Sequence, residues 1–312
     1  MSNKISVVFV VGPTASGKTG LGAAIAKELD GEVISADSMQ IYKDMRIASA
    51  APVGYEDTLG VPHHLVEFLE YGENFTVADY VQAAREKIFN IKSRGKLPVV
   101  VGGTGLYINT LADNIEFLEQ ATNLELRNRL TRQLEEIGAE DMLSKLGDID
   151  PKTAARLHPS DTRRIIRAFE VYELTGLTLT QQNERSRQND SPFEPIMIGI
   201  NYRDRARLYD RINRRVDIMC EKGLVDEARL AFQKDLKSGA AQAIGHKELF
   251  DYFRGIITLE EALENLKQAT RRYAKRQLTW FNRDERINWF YPDEDPQICD
   301  GAIKLVKEVL NK

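Results

Sequence analysis

Residues Gly12-Pro13-Thr14-Ala15-Ser16-Gly17-Lys18-Thr19 spell Gly-x-x-x-x-Gly-Lys-Thr, a spacing that suits phosphate chemistry. Backbone N–H groups of such a loop, and of the helix that follows it, point at phosphate oxygens. Lys18 adds a positive charge, and the Thr19 hydroxyl is placed to ligate a magnesium ion. The apolar run Ile5–Val11 ahead of the loop predicts a buried parallel strand. Leu21, Ala24, Ile25 and Leu29 follow at helical spacing. The expected ligand carries a di- or triphosphate. The motif does not say what becomes of that phosphate.

Two further strand ends carry unusual residues. Glu32-Val33-Ile34-Ser35-Ala36 runs into Asp37, and Leu97-Pro98-Val99-Val100-Val101 runs into Gly102-Gly103-Thr104-Gly105. In an open parallel sheet such ends line one crevice, where ligands sit. Asp37 is then a candidate for chemistry beside the phosphates. A magnesium-ligating or helix-capping carboxylate fits the spacing equally well. Gly102-Gly103 permits close backbone approach to a ligand, or simply a tight turn.

The elements that must position these residues alternate strand and helix, with 77–91 helical. From about residue 118 the strands stop. Residues 124–137, 139–146 and 161–174 read as helices, the last with Asp161 as N-cap and Gly176 as stop. The polar stretch 177–195 reads as a loop. A strand at 195–200 resumes the sheet, helices follow at 203–222, 224–236 and 260–280, and 287–290 reads as a last strand. The expected fold class is α/β. Residues 1–117 and 195–312 form a P-loop NTPase-like parallel-sheet core, and 118–194 a helical insertion domain.

The chain has 312 residues, 42% apolar and 29% charged, ordinary for a globular protein with a normal core. No apolar run approaches the roughly 20 residues of a membrane span. The first apolar run enters the glycine loop without a small-residue cleavage site, so a cytoplasmic protein without a signal peptide is expected. Cys220 and Cys299 stand alone as reduced thiols. His63, His64, His158 and His246 make no convincing metal cluster, although His63-His64 is a candidate pair of ligands.

Net charge is −4, yet arginines cluster. Arg203, Arg205, Arg207, Arg211, Arg214 and Arg215 lie in one segment. Lys267, Arg271, Arg272, Lys275 and Arg276 lie in another, and Arg163, Arg164 and Arg167 in a third. Confined basic faces on an acidic protein suit a polyanion locally. Each also suits a solvated helix face. Arg207, Arg211 and Arg215 share one face of a helix whose opposite stripe is Leu208, Ile212, Val216 and Met219. Such a row fits bidentate contacts to phosphate. Tyr273, Trp280 and Phe281 interleave aromatics with the bases of 271–276, a pattern for stacking on nucleotides or for core packing.

Together these stretches resemble the tRNA isopentenyltransferase family, whose bacterial members are tRNA dimethylallyltransferases. The matching motifs are GPTASGKT at 12–19, DSMQIY at 37–42, GGTGLY at 102–107 and HPSDTRRIIRAFEVYELTG at 158–176. RINRRVDIM at 211–219, QAIGHKEL at 242–249 and TRRYAKRQLTWF at 270–281 complete the set. They stand in family order and span residues 12–281. The chain departs from the pattern at 44–51, where the family has Gly, Asp, Gly-Thr and Lys at 44, 46, 48–49 and 51. It departs again at His246, where Tyr is usual.

The resemblance implies that the loop binds the pyrophosphate of dimethylallyl diphosphate rather than ATP. The prenyl group would pass to N6 of the adenosine just 3′ of the tRNA anticodon, that adenine being flipped into a channel. Asp37 would be the general base, with Thr14 and Arg215 holding the leaving pyrophosphate. Gly12, Pro13, Thr14, Ala15, Ser16, Gly17, Lys18, Thr19 and Arg211 would bind the diphosphate. Asp37, Ser38, Met39, Gln40 and Thr104 would meet the target nucleotide. Arg127, Asp161, Thr162, Arg163, Arg164 and Ile165 would meet the anticodon stem-loop. Mg2+, held by Thr19, is the implied cofactor, and a monomer is expected. Rival readings are an adenylate isopentenyltransferase acting on free AMP or ADP, a P-loop small-molecule kinase, and a non-catalytic RNA-binding protein. The insertion and its arginines favour tRNA over a mononucleotide.

Overall fold

A computed structural model describes residues 4–115, 123–186, 190–234, 240 and 243–311. Packing divides the chain into two units, residues 1–112 with 192–312 and residues 113–191. The sequence-expected boundaries, 118 and 194, lie a few residues later.

The first unit begins β1 (Ile5–Val11), α1 (Lys18–Glu28), β2 (Gly31–Ser35), α2 (Arg46–Ser49), α3 (Tyr55–Thr58), β3 (His63–His64), α4 (Val77–Ser93), β4 (Leu97–Gly102) and α5 (Gly105–Ala112). The second holds α6 (Leu124–Ile137), α7 (Ala139–Ile149), α8 (Pro151–Ala154), α9 (Thr162–Thr175) and α10 (Leu179–Arg185). The first unit resumes with β5 (Phe193–Ile200), α11 (Arg205–Glu221), α12 (Leu224–Gln233), α13 (Lys247–Phe253), α14 (Leu259–Phe281), β6 (Asn288–Phe290) and α15 (Ile298–Leu310).

The strands form one six-stranded parallel sheet in the order β3-β2-β4-β1-β5-β6. Helices cover both faces, so β1 is apolar but for Ser6. Val7, Phe9 and Val11 join the core on one face with Tyr80, Ile88 and Ile108, while Val8 and Val10 face Leu21, Ile25 and Val306 on the other. Burying each large side chain contributes about 1.5–3 kcal/mol. The register pairs Val11 with both Gly102 and Gly199, and Ser35 with Val101. The ends of β1, β2 and β4 therefore stand side by side, and they carry the glycine loop, Asp37 and Gly102-Gly103.

The two adjacent histidines point to separate partners. His64 Nε2 lies 2.7 Å from Glu32 Oε2, and His63 Nδ1 lies 2.9 Å from the Val61 carbonyl oxygen. Arg94 also engages Glu32 with both terminal nitrogens. The Arg94 guanidinium, helped by His64 against the effect of burial, holds the Glu32 carboxyl down at about 2.

In the helical unit, Leu126, Leu130, Met142, Leu146, Ile165 and Phe169 form a separate core. The expected loop at 177–195 is corrected, because Leu179–Arg185 is helical. Thr178 accepts from the Gln181 N–H while the Gln181 side chain accepts from the Thr178 N–H, a capping box that polar composition concealed. Asp161 precedes α9 but does not cap it through its side chain, which instead accepts from the His158 N–H at 3.0 Å.

Candidate active site

The glycine loop is shaped by two backbone constraints. A Cβ on Gly12 would sit 2.5 Å from the Ile200 carbonyl oxygen, and Gly17 turns into α1 at φ 101°. Only glycine fits both positions without strain. Since α1 starts at Lys18, the first N–H groups of the helix have no intrahelical acceptor and face an anion site.

A cavity of about 420 Å³ lies against this helix end. Thr14, Ala15, Gly17, Lys18 and Thr19 line it on one side, Arg211, Arg214 and Arg215 on another. Gly12, Pro13 and Ser16, expected at the diphosphate, are buried and do not line it. The arginine row thus reaches the cavity with Arg211 and Arg215, whereas Arg207 lies 4.0 Å from Asp204 instead. Arg211 Nε donates to the Ala15 carbonyl at 2.9 Å and so ties α11 to the loop. Arg214 was not expected there; its guanidinium pairs with Asp210 at 2.8 Å.

The charges at the cavity perturb one another. Burial and the neighbouring Arg215 bring the Lys18 ammonium down to about 8, with Asp37 acting in the opposite sense. Burial likewise lowers Arg215, again opposed by Asp37. Two cations crowded beside one carboxylate have an unmet demand for negative charge, which a bound diphosphate supplies.

A second cavity of about 270 Å³ shares Thr14, Asp37, Ser49, Arg215 and Tyr273 with the first. Its remaining wall is apolar at Ala48, Val216, Met219, Ala243, Ile244 and Leu266, while Lys247, Thr270 and Arg276 add polar and cationic groups. Ser38 and Met39 line it too. Asp37 lines both spaces, the cationic one and the more apolar one. Its Oδ1 accepts from the Met39 N–H at 2.9 Å and from the Gln40 N–H at 3.4 Å. Asp37 therefore caps the turn that follows β2, and this use occupies only one carboxylate oxygen.

The other residues expected at a nucleotide have structural partners. Thr104 Oγ1 accepts from the Ser38 N–H at 3.1 Å. The Gln40 side chain accepts from Ser35 Oγ and donates to the Ser49 and Ala50 carbonyls. In the helical unit, Ile165 is 0% exposed, a core residue whose side chain meets no solvent. Arg127 grips the buried Glu170 with two hydrogen bonds, at 2.6 and 3.0 Å. Asp161 and Thr162 begin α9; Arg163 and Arg164 are exposed there, Arg164 lying 3.6 Å from Asp161. Gln242 of the matched QAIGHKEL stretch lies outside the described residues.

Sequence reasoning missed the residue that locks the two loops together. Gln277 on α14 is 5% exposed. Its Oε1 accepts from the Thr14 N–H at 2.8 Å, and its Nε2 donates to the Gly103 carbonyl at 2.9 Å. One turn earlier, Tyr273 hydrogen-bonds Thr104 and Gln277. Burial, reinforced by Asp37, raises the Tyr273 hydroxyl above its ordinary value, so it stays protonated. Gln277→Glu keeps an acceptor for Thr14 but sets a carboxylate against the Gly103 carbonyl. It is expected to weaken pyrophosphate binding about tenfold or more, because a buried polar group left without its partner costs roughly 1–3 kcal/mol. Titration calorimetry checks this; unchanged affinity would show the clamp to be dispensable.

A magnesium ion fits the residues present. Lys18, Thr19, Ser35, Asp37, Gln40 and His63 are among those that line a small cavity of about 10 Å³, the room of one water. His63 Nδ1 must carry its proton to bond the Val61 carbonyl, so Nε2 is an acceptor, buried and without a partner among the described residues. No group of three or more His, Cys, Asp or Glu among the described residues could hold a metal. A hydroxyl, one carboxylate and ligand oxygens suit a hydrated hard cation better than a transition metal.

Known proteins share this architecture. A family profile described as IPP transferase matches residues 40–284, and one described as isopentenyl transferase matches residues 5–60. A tRNA dimethylallyltransferase of Thermoanaerobacter sp. (strain X514) is 46% identical over 313 residues, 99% of this chain and 98% of that relative. One from Bacillus subtilis (strain 168) is 44% identical over 290 residues, 93% and 91% of the two chains. Among solved structures, the full-length tRNA isopentenylpyrophosphate transferase of Bacillus halodurans superimposes with a TM-score of 0.70 at 40% identity, covering 99% of this chain and 100% of that one. A eukaryotic dimethylallyltransferase acting on tRNA gives 0.75 at 30% identity, covering 89% and 70%. In sequence and in fold, this chain belongs to the IPP transferase family, the family of the tRNA dimethylallyltransferases.

Proposed function

We propose that this chain transfers a dimethylallyl group from dimethylallyl diphosphate to N6 of the tRNA adenosine immediately 3′ of the anticodon, releasing diphosphate. The observation that carries this reading is the pair of joined cavities: a cationic space at a helix N-terminus, a more apolar space beside it, and Asp37 lining both. Diphosphate suits the first and a five-carbon chain the second. A kinase has no evident use for the apolar space.

In the reaction, the allylic C–O bond breaks and its electron pair leaves with the diphosphate. N6 of the adenine forms the new C–N bond and sheds a proton. Lys18, Arg211, Arg215 and the N–H groups opening α1 hold the growing negative charge on the leaving group. The free oxygen of Asp37 orients N6 and takes the proton. Tyr273, Thr104 and Gln277 keep the surrounding loops in place. Thr19 would hold a magnesium ion, with His63 lining the same cavity; when bound, the ion would neutralise the diphosphate charge. A base so deep in the site is reached only by a nucleotide extruded from its stack.

The helical unit offers Arg163 and Arg164 to RNA phosphates. Replacing both with Ala is expected to flatten the dependence of log affinity on log salt by about 1.4–1.8, at roughly 0.7–0.9 per phosphate contact. The KM for tRNA should rise while that for the donor stays. Filter binding across a salt series checks it, and an unchanged slope takes α9 out of the interface. We also place the protein in the cytoplasm, where tRNA is found; among the described residues no helix is long and apolar enough to cross a membrane.

A further inference from the structure

Helix α2 is too short to hold itself together. It has four residues, Met45 at its N-cap position offers no side-chain acceptor, and Ala48, Ser49 and Ala50 nonetheless wall the two cavities. Its stability comes from α12, 180 residues away in sequence. Glu227 Oε2 accepts from the Ile47 N–H at 2.7 Å and Oε1 from the Ala48 N–H at 2.9 Å. One carboxylate thus caps the helix from outside.

The carboxylate is itself held. His246, 0% exposed, lies with Nε2 3.0 Å from Glu227 Oε1. To donate there Nε2 carries a proton, and the Tyr71 hydroxyl lies 3.4 Å from Nδ1. Gly245, at φ +114°, brings the backbone against Ala48, where a Cβ would come within 2.9 Å of the Ala48 Cβ. On the other side Gln40 Nε2 donates to the Ser49 and Ala50 carbonyls. The two departures from the sequence resemblance, 44–51 and His246, therefore meet through one carboxylate.

We propose that Glu227, oriented by His246, is a positioning residue that fixes the 46–50 segment as the wall of the diphosphate and prenyl cavities. This rests on the reading of those cavities given above. Glu227 touches no reacting atom. Its loss lets the wall move away from the donor, so donor binding suffers while the chemistry of a bound donor changes little.

The experiment compares the wild type with Glu227→Gln and His246→Phe in three measurements. These are hydrogen exchange at the Ile47 and Ala48 amides, calorimetric affinity for inorganic pyrophosphate, and the KM and kcat for dimethylallyl diphosphate with tRNA. Glu227→Gln is expected to lose amide protection, to weaken pyrophosphate binding and raise donor KM about tenfold, and to keep kcat within about threefold with tRNA KM unchanged. His246→Phe keeps an aromatic ring but removes the Nε2 donor to Glu227, and should give the same pattern more weakly; it carries the test if Glu227→Gln does not fold. Unchanged protection in both variants overturns the cap. Lost protection with unchanged pyrophosphate affinity and donor KM overturns the positioning role. A wild type that transfers no prenyl group would sink the proposed reaction, while exchange and pyrophosphate affinity would still decide the role of Glu227.

Discussion

Asp37→Asn is expected to lower the single-turnover rate of prenyl transfer by about two orders of magnitude or more, within the 10²–10⁴ typical of a positioned base. The amine N6 is a poor nucleophile because its lone pair is delocalised into the purine ring. It gains positive charge as the C–N bond forms, so a carboxylate at that point both orients it and accepts its proton. The substitution is a clean one here. Asp37 uses Oδ1 to accept from the Met39 and Gln40 N–H groups, and the Asn carbonyl oxygen can make the same bonds. The turn after β2 should survive, and tRNA and donor affinities should change by less than about tenfold, the amide replacing one contact among many. Rapid-quench kinetics with bound substrates reads the rate. Near-normal chemistry with a much larger magnesium requirement would mean that the carboxylate serves the metal and not N6.

Lys18→Ala should weaken donor binding about 30–150-fold, the equivalent of roughly 2–3 kcal/mol for a hydrogen bond to a charged group. The pH dependence is more diagnostic. Lys18 titrates at about 8 in the free protein, lowered by burial and Arg215. Only the protonated ammonium attracts diphosphate. Affinity gained from Lys18 is therefore fully present below that pH and lost as the pH rises through about 8, by at most about tenfold per unit. Lys18→Arg carries a guanidinium that keeps its proton over this range. It should abolish the alkaline fall even if its absolute affinity is lower. Calorimetry with dimethylallyl diphosphate between neutral and alkaline pH checks both variants. A wild-type affinity flat through this range would contradict the crowding of charge at the site.

The parts of the fold that were legible from sequence are those that local rules dictate. The glycine loop, the strands before it and before Gly102, and the helices expected at 77–91, 124–137 and 260–280 follow from apolar spacing within one element, and the structure sets the first and last at 77–93 and 259–281. Helix α10 was not legible by composition, although its Thr178–Gln181 capping box was there to be found. Ile165 lies on a motif matched as a whole, and the motif does not separate residues that face outward from those that build the helical core; Arg127 lies outside the matched motifs, and its partner Glu170 is 43 residues away. The Gln277 clamp was out of reach for another reason. Its partners, Thr14 and Gly103, are 263 and 174 residues away, and only the folded sheet brings them together. The same holds for Glu227 and α2.

The most direct test of the account supplies the protein with magnesium, dimethylallyl diphosphate and either unmodified tRNA or AMP, and weighs the nucleosides afterwards. The expected result is a mass gain of one prenyl group on the adenosine immediately 3′ of the anticodon, with AMP unmodified. Prenylation of AMP in place of tRNA, or no mass gain on either, would contradict it.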